Sequence, residues 1–490
     1  MLSSKNFVSV LLAFAVGAIT LILSSHTGMS IHGQRLLAVF TTIVVIWSTG
    51  CMNLPASCLL LLVLMSLAIT NFAGETGGLK MSKAFQAGLK GFSGSVPITV
   101  VAGTAFAAVI RSSGLAERIV YLIMKLASGR AGQASAKRML AAFFLADLPA
   151  SIMIPSAMGR CALYMSIAEG LEKPFRFCRM DEGKPYNPFQ KAIWIAVALI
   201  PIIMGSAFLT GAEATIMVGG MIEQGTRVPQ FWANTFAILY APALAVMFLS
   251  WFFLAQLYPS SVEKVDASFI NEQLQRLGTL TYKEKYCLAS LVVMIGLFLT
   301  DAIHHIPVPL ILVAMCVVLF LPGIGAGDWK TDGKKITWDG YLIIGVALSF
   351  SGLLGQYKVM NFFAEKIALL DIHNYAVALA IMIGITLVIR LGIASITSAA
   401  ALLVPISIAV GQGAGLTPFE TVGLAWVTYT FCRISFFLPH QGAQLIMTFG
   451  LNYYEKRDLT RSAAYITAGA VAAYGLWSYL CISPILSVIS

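Results

Sequence analysis

The sequence predicts an all-α polytopic membrane protein: about 11 transmembrane helices plus two re-entrant hairpins, arranged as an inverted repeat. Three observations predict it. Of 490 residues, 58% are apolar and 11% charged, with a mean hydropathy of +0.83, whereas a soluble domain carries roughly 25% charged residues. The apolar runs extend over ~15–25 residues, the length a helix needs to cross the hydrocarbon and longer than the strands of a barrel. Finally, each half carries one short polar interruption inside an apolar stretch, Pro155-Ser156-Ala157-Met158-Gly159-Arg160 and Ala394-Ser395-Ile396-Thr397-Ser398. Lipid cannot satisfy the backbone freed there, so such breaks survive only buried in protein or lining a wet cavity.

In order, spans are expected at 6–25, 35–50, 53–71, 93–111, 192–221, 231–257, 286–303, 308–322, 339–356, 418–449 and 462–488. The first run ends at Ser24-Ser25-His26 without a small-x-small cleavage site, which reads as a membrane helix rather than a removed signal peptide. Reading the spans alternately puts twenty Lys/Arg on the side of the N-terminus (Lys5 and segments 125–138, 173–191, 264–285, 330–335 and 456–461). Five lie on the other side: Arg35, Lys80, Lys83, Lys90 and Arg227. The positive-inside rule then places the N-terminus in the cytoplasm and the C-terminus outside, in what is expected to be a bacterial cell membrane. The net charge of +10 is therefore topology, and no nucleic-acid partner is expected. Eight scattered cysteines without a CxxC pair read as packing residues.

Segments 139–170 and 374–411 are each long enough for two short helices with the polar break between them, and a hairpin fits both. The elements before them match. A span containing Gly103 leads to Ser113-Gly114-Leu115-Ala116-Glu117-Arg118-Ile119, and one containing Gly345 leads to Asn361-Phe362-Phe363-Ala364-Glu365-Lys366-Ile367. Both stretches read as amphipathic helices along the interface. The span count makes the first hairpin enter from the cytoplasm and the second from outside, which is an inverted repeat. A broken element follows each hairpin, at Gly205–Thr215 and at Leu438–Gln444.

Four unwound places in symmetric pairs make one candidate site. A hairpin tip offers N–H groups at the start of its return helix, where an anion binds without side chains, and freed carbonyls suit a small cation. The candidate binding residues are Ser156, Ala157, Gly159 and Arg160 at the first tip, and Thr210, Gly211, Glu213 and Thr215 at the first broken element. The second half adds Ser395, Ile396, Thr397 and Ser398 at its tip, and His440, Gln441 and Gly442 at its broken element. Intramembrane charges are costly and usually functional. Arg390, Arg433 and Asp147 are therefore candidates for charge compensation, with Arg390 or Arg433 pairing to Glu213 as the structural reading. Arg111 reads as a residue that snorkels to the interface. His304-His305 and His373 read as loop residues, and Tyr453-Tyr454 as an interfacial anchor. No nucleophile–base spacing stands out, so an enzyme, for instance a transferase using His440 with Asp147 or Glu213, is not expected.

Ser395-Ile396-Thr397-Ser398, with Pro405 ten positions on, resembles the Ser-Asn-Thr hairpin signature of the divalent anion/sodium symporter family. Pro155-Ser156-Ala157-Met158-Gly159-Arg160 resembles the Pro-Ser-Asn-Thr-Ala-Arg of its exchanger-type members, which carry citrate/succinate or 2-oxoglutarate/malate. Leu438-Pro439-His440-Gln441-Gly442 is similar to their His-Tyr-Gly segment. The likeness runs from about residue 35 to 488. It implies a homodimer in the bilayer, an elevator motion, and scaffold parts at 1–125 and 286–372 with transport parts at 126–285 and 373–490. It also implies a small anionic substrate, di- or tricarboxylate-like or sulfate-like, moved by exchange or by sodium- or proton-coupled symport. Both signature asparagines are replaced here, by Ala157 and Ile396. No cofactor is expected, and sodium as a coupling ion is left open.

Overall fold

The computed structural model describes residues 4–482 apart from 73, 75–76, 130–132, 263, 267, 337 and 369–373. His373 and the end of the last expected span lie outside the described residues. The chain runs α1 (Ser4–Ser24), α2 (Ile31–Thr49), α3 (Leu54–Ala68), α4 (Met81–Leu89), α5 (Ser95–Ser113), α6 (Leu115–Ser128), α7 (Ala136–Met153), α8 (Ala157–Glu169) and the single turn α9 (Glu172–Phe175). It continues through α10 (Phe189–Met204), α11 (Glu213–Thr226), α12 (Trp232–Leu257), α13 (Ser268–Leu277), α14 (Tyr282–Leu299), the short α15 (Asp301–His304), α16 (Val308–Leu319) and the short α17 (Trp329–Asp332). The last elements are α18 (Trp338–Gln356), α19 (Val359–Ala368), α20 (Tyr375–Gly392), α21 (Ile396–Gly413), α22 (Pro418–Ile434), α23 (Ala443–Phe449) and α24 (Lys456–Trp477). Seven described helices are at least 18 residues long and apolar enough to cross a membrane, and α3, α10 and α16 are shorter apolar helices. The one sheet among the described residues is a two-stranded antiparallel ribbon, Gln133–Ser135 on Lys264–Asp266.

Both expected hairpins form, and each turns through three residues, 154–156 between α7 and α8 and 393–395 between α20 and α21. In the first, Pro155 disfavours helical geometry at the residue before it, and Ile154 is extended at φ −127°, ψ 91°. In each, a serine then restarts the helix as its N-cap. Ser156 Oγ accepts from the Gly159 N–H at 3.3 Å and Ser395 Oγ from the Ser398 N–H at 3.2 Å. The amphipathic stretches form α6 and α19 immediately before the hairpins. Both broken elements also form: residues 205–212 separate α10 from α11, and residues 435–442 separate α22 from α23. Each break is eight residues long.

Some elements differ from the sequence reading. The segment before α5 holds the extra amphipathic helix α4. Tyr453 and Tyr454 are buried rather than anchored at an interface. The Tyr453 ring stacks on Trp194, with 4.6 Å between centroids, and Tyr454 shares a hydrogen bond of 2.8 Å with Thr448. His304 closes its own turn, its ring bonding the Leu297 carbonyl and the Ile306 N–H.

Candidate functional site

The first hairpin and the first broken helix are held together by Arg160. Its guanidinium donates to the Ile154 carbonyl at 2.5 Å, the Gly211 carbonyl at 3.0 Å and the Pro201 carbonyl at 2.9 Å. Helix breaks create these acceptors: Ile154 ends α7, and Gly211 lies in an unwound segment whose carbonyls lack helical partners. Arg160 Nε also lies 2.9 Å from Asp147 Oδ1, an ion-pair contact rather than an aligned hydrogen bond. Tyr164 donates to the same carboxylate oxygen at 2.7 Å.

Arg390 does the same in the second half. It donates to the Ile393 carbonyl, where α20 ends, and to the Gln441 carbonyl in the second break. Gln441 answers through its side chain. Its Nε2 donates to the Arg390 carbonyl at 2.5 Å, and its Oε1 accepts from the Leu438 N–H at 2.6 Å.

Arg433, at the end of α22, joins the two broken helices to each other. It donates to the Ile202 carbonyl at 2.9 Å, the Pro201 carbonyl at 3.2 Å and the Tyr429 hydroxyl at 3.2 Å. Thr215 Oγ1 bonds the Gly205 carbonyl at 2.6 Å and shares a hydrogen bond of 2.7 Å with the Tyr429 hydroxyl. The breaks of α10–α11 and α22–α23 therefore meet. The backbone tolerates this because residue 205 is glycine: a Cβ there would lie 2.6 Å from Arg433 Cζ.

The candidate residues separate by exposure. Arg160, Arg390, Arg433, Asp147, Thr210, Gly211, Thr215, Ser398, Gln441 and Gly442 are buried within the framework, as are Ala157 and Gly159. Thr210 accepts from the Trp232 indole at 2.9 Å. Ser156, Ser395, Ile396, Thr397 and Glu213 are half-buried, and His440 is exposed with its ring 3.4 Å from the Leu391 carbonyl. In place of the pairing expected between Glu213 and Arg390 or Arg433, Arg160 pairs with Asp147, while Arg390 donates to the Ile393 and Gln441 carbonyls and Arg433 to the Ile202 and Pro201 carbonyls and the Tyr429 hydroxyl. Arg111, at the end of α5, is exposed. It points at the first tip, where a Cβ on Gly159 would lie 3.0 Å from its Nη1. Sequence reasoning missed Tyr429, which carries no signal of its own. It also missed Pro201, whose position inside an apolar helix was a usable sign of a disturbed ladder.

Electrostatically, the framework holds three buried guanidinium groups, Arg160, Arg390 and Arg433, and one fully buried carboxylate, Asp147, which pairs with Arg160. Removing charge from water is expensive, and the cost is offset only by partners of opposite sign or by aligned dipoles. Carbonyl oxygens supply dipoles but no charge. The region thus keeps an excess of positive charge beside two tips whose helix N-termini add more of the same sign. Such a place favours an anion.

Comparison with known proteins points the same way. A family model described as the sodium:sulfate symporter transmembrane region matches residues 4–481. A membrane protein of Cupriavidus necator is 26% identical over 471 residues, covering 92% of this chain and 88% of that one. The chloroplastic dicarboxylate transporter 1 of Spinacia oleracea is 21% identical over 368 residues, 73% of this chain and 60% of that one. Among solved structures, MtrF of Neisseria gonorrhoeae, described as one of a class of antimetabolite efflux pumps, superposes with a TM-score of 0.59 at 15% identity, covering 89% of this chain and 97% of its own. The YdaH transporter of Alcanivorax borkumensis gives 0.57 at 16%, covering 86% and 96%. At those identities the two structures share the fold alone.

Proposed function

Because the chain belongs to the sodium:sulfate symporter family, and is thus a membrane transporter rather than an enzyme, we propose that it exchanges small anions across the membrane. The substrate class is a di- or tricarboxylate or a sulfate-like dianion. In this reading the hairpins and broken helices, 126–285 and 373–490, form a transport part that moves against a scaffold of 1–125 and 286–372. The protein works as a homodimer in a bacterial cell membrane, with its N-terminus in the cytoplasm.

One observation carries the exchange reading. Carbonyls freed at hairpin tips and unwound segments are the groups that hold sodium in coupled transporters. Here the carbonyls of Ile154 and Gly211, and those of Ile393 and Gln441, already accept from Arg160 and Arg390. A fixed guanidinium supplies the positive charge that sodium would bring, and it cannot dissociate. Ser156, Ser395, Thr397 and the N–H groups behind them remain to hold the anion.

Counterflow into proteoliposomes tests this. Labelled succinate or sulfate should enter only vesicles preloaded with an anion, and equally in sodium and choline media. Flux into empty vesicles that requires sodium would replace exchange by symport, and no flux with any dicarboxylate, tricarboxylate or sulfate would remove the substrate class. The symport reading has one feature in its favour: Ser398 Oγ, buried beside the second tip, has no hydrogen-bond partner among the described residues. A proton-coupled version would fall to the exposed His440.

A further inference from the structure

Arg160, Arg390 and Arg433 give their donors to the frame of the site. Arg111, in the last turn of α5, does not. It is exposed, and among the described residues its guanidinium makes no hydrogen bond and no ion pair. It nonetheless lies against the first tip. A Cβ on Gly159 would fall 3.0 Å from Arg111 Nη1 and 3.4 Å from its Cζ, so the missing side chain at residue 159 is what lets the guanidinium approach. The rest of α5 follows the same tip and the break after it. A Cβ on Gly103, about two turns earlier on α5, would fall 3.6 Å from Pro155 Cγ. Val100 on α5 and Glu213 on α11 meet at Gly340 of α18, where a Cβ would lie 3.3 Å from Val100 Cγ1 and 3.2 Å from Glu213 Oε2.

This placement sets like charge against like. Gly159 belongs to the first turn of α8, and a helix N-terminus carries roughly half a positive charge. The next residue is the buried Arg160. Glu213, at the first position of α11, acts on Arg111 electrostatically but makes no hydrogen bond or ion pair with it. The C-terminus of Arg111's own helix offsets part of the repulsion, yet it accepts none of the guanidinium N–H groups. An anion placed between the guanidinium and the tip would be drawn to both, and the planar fork of an arginine suits two oxygens of one anionic group.

We infer that Arg111 is a specificity-determining residue of the anion site. Ser156 and the N–H groups of the first tip hold one anionic group of the substrate, and Arg111 takes a second, either another carboxylate or the far oxygens of a sulfate. The inference rests on the anion-exchange reading for its substrate class and adds a selection rule to it: a dianion is preferred to a monoanion of the same shape. The tip alone offers neutral donors and a partial charge, which one negative group satisfies. A second negative group needs a full positive charge that is not already spent. Arg160 has spent its own on Asp147 and on the carbonyls of Ile154, Pro201 and Gly211.

Succinate and succinamate test this, since they share a shape and differ by one negative charge; sulfate and methyl sulfate are a second such pair. Binding to the purified full-length protein is read as thermal stabilisation against anion concentration, and exchange as counterflow into proteoliposomes. The unmutated protein should bind succinate at least about tenfold more tightly than succinamate, the size of one charge-assisted hydrogen bond. Arg111→Gln should weaken succinate binding and raise its counterflow KM roughly tenfold, with the maximal rate and the binding of succinamate each within about twofold. Arg111→Lys should recover part of the loss. Where Arg111→Gln does not fold, Gly159→Ala serves in its place, because its Cβ displaces the guanidinium from the tip and should weaken succinate more than succinamate. Succinate binding left unchanged by the variants, an equal loss for both anions, a change in maximal rate alone, or no binding of any of the four anions would each overturn the inference. Succinate bound through Arg111 without counterflow would remove the exchange reading and leave this one standing, and counterflow indifferent to Arg111→Gln would do the reverse.

Discussion

Arg160 and Arg390 stand in the same relation to the two halves of the chain: each donates to a backbone carbonyl 51 residues further on, Gly211 for one and Gln441 for the other. Each also caps the carbonyl at which the incoming helix of its hairpin ends. They do so from opposite sides of the turn, Arg160 from the return helix and Arg390 from the incoming one. The repeat therefore conserves a task, tying a hairpin to its broken helix, rather than a residue position.

If Arg390 stands in for a cation, removing it should create a place for one. Arg390→Ser frees the Ile393 and Gln441 carbonyls at the second hairpin, whose Ser398 hydroxyl has no hydrogen-bond partner among the described residues. The variant should melt at a higher temperature in sodium than in choline chloride, while the unmutated protein shows no difference. Equal melting of the variant in both salts would count against the substitution of charge for ion.

Breaking one side of the Arg160–Asp147 pair should cost more than removing both. Arg160→Met leaves a carboxylate fully buried and should destabilise by about 3–5 kcal/mol, the size of an uncompensated buried charge. Arg160→Met with Asp147→Leu should recover a measurable part of that loss. Thermal melting of detergent-purified protein decides it, and additive losses would show that the two groups do not interact.

Gly205 should tolerate no side chain. A Cβ there would meet the Arg433 guanidinium, which is fixed by three hydrogen bonds and cannot yield. Gly205→Ala should therefore cost about 1–3 kcal/mol. Gly219→Ala is the control, since its Cβ would meet Leu209 Cδ1 at 2.6 Å, the far end of a flexible side chain. Its loss in melting temperature should be the smaller of the two.

On the loop between α9 and α10, outside the membrane segments, burial and then the Glu182 carboxylate push the Cys178 thiol up. Its Sγ lies 3.3 Å from Glu182 Oε2, and that carboxylate is held low first by Lys184. Raising a thiol lowers its thiolate fraction near neutral pH, and only the thiolate reacts. Glu182→Gln should thus speed maleimide labelling of Cys178 at pH 7, as followed by mass spectrometry. A slower reaction would reverse the sign of the Glu182 effect.

The sequence by itself determined the architecture, because its signals are local. Run length and hydropathy give the spans, and proline, glycine and serine inside apolar runs give the breaks. The order of elements gives the repeat, and Ser156 and Ser395 are legible as caps because an N-cap needs only its own helix. What only the tertiary structure decided is where each buried charge spends its donors. Arg160 finds Asp147 thirteen residues before it, Arg433 finds the carbonyls of Pro201 and Ile202 on another helix, and Arg118 finds Glu284. A guanidinium in an apolar stretch announces that it must be satisfied. Which carbonyl or carboxylate satisfies it depends on how distant helices cross, and no spacing along one chain encodes that.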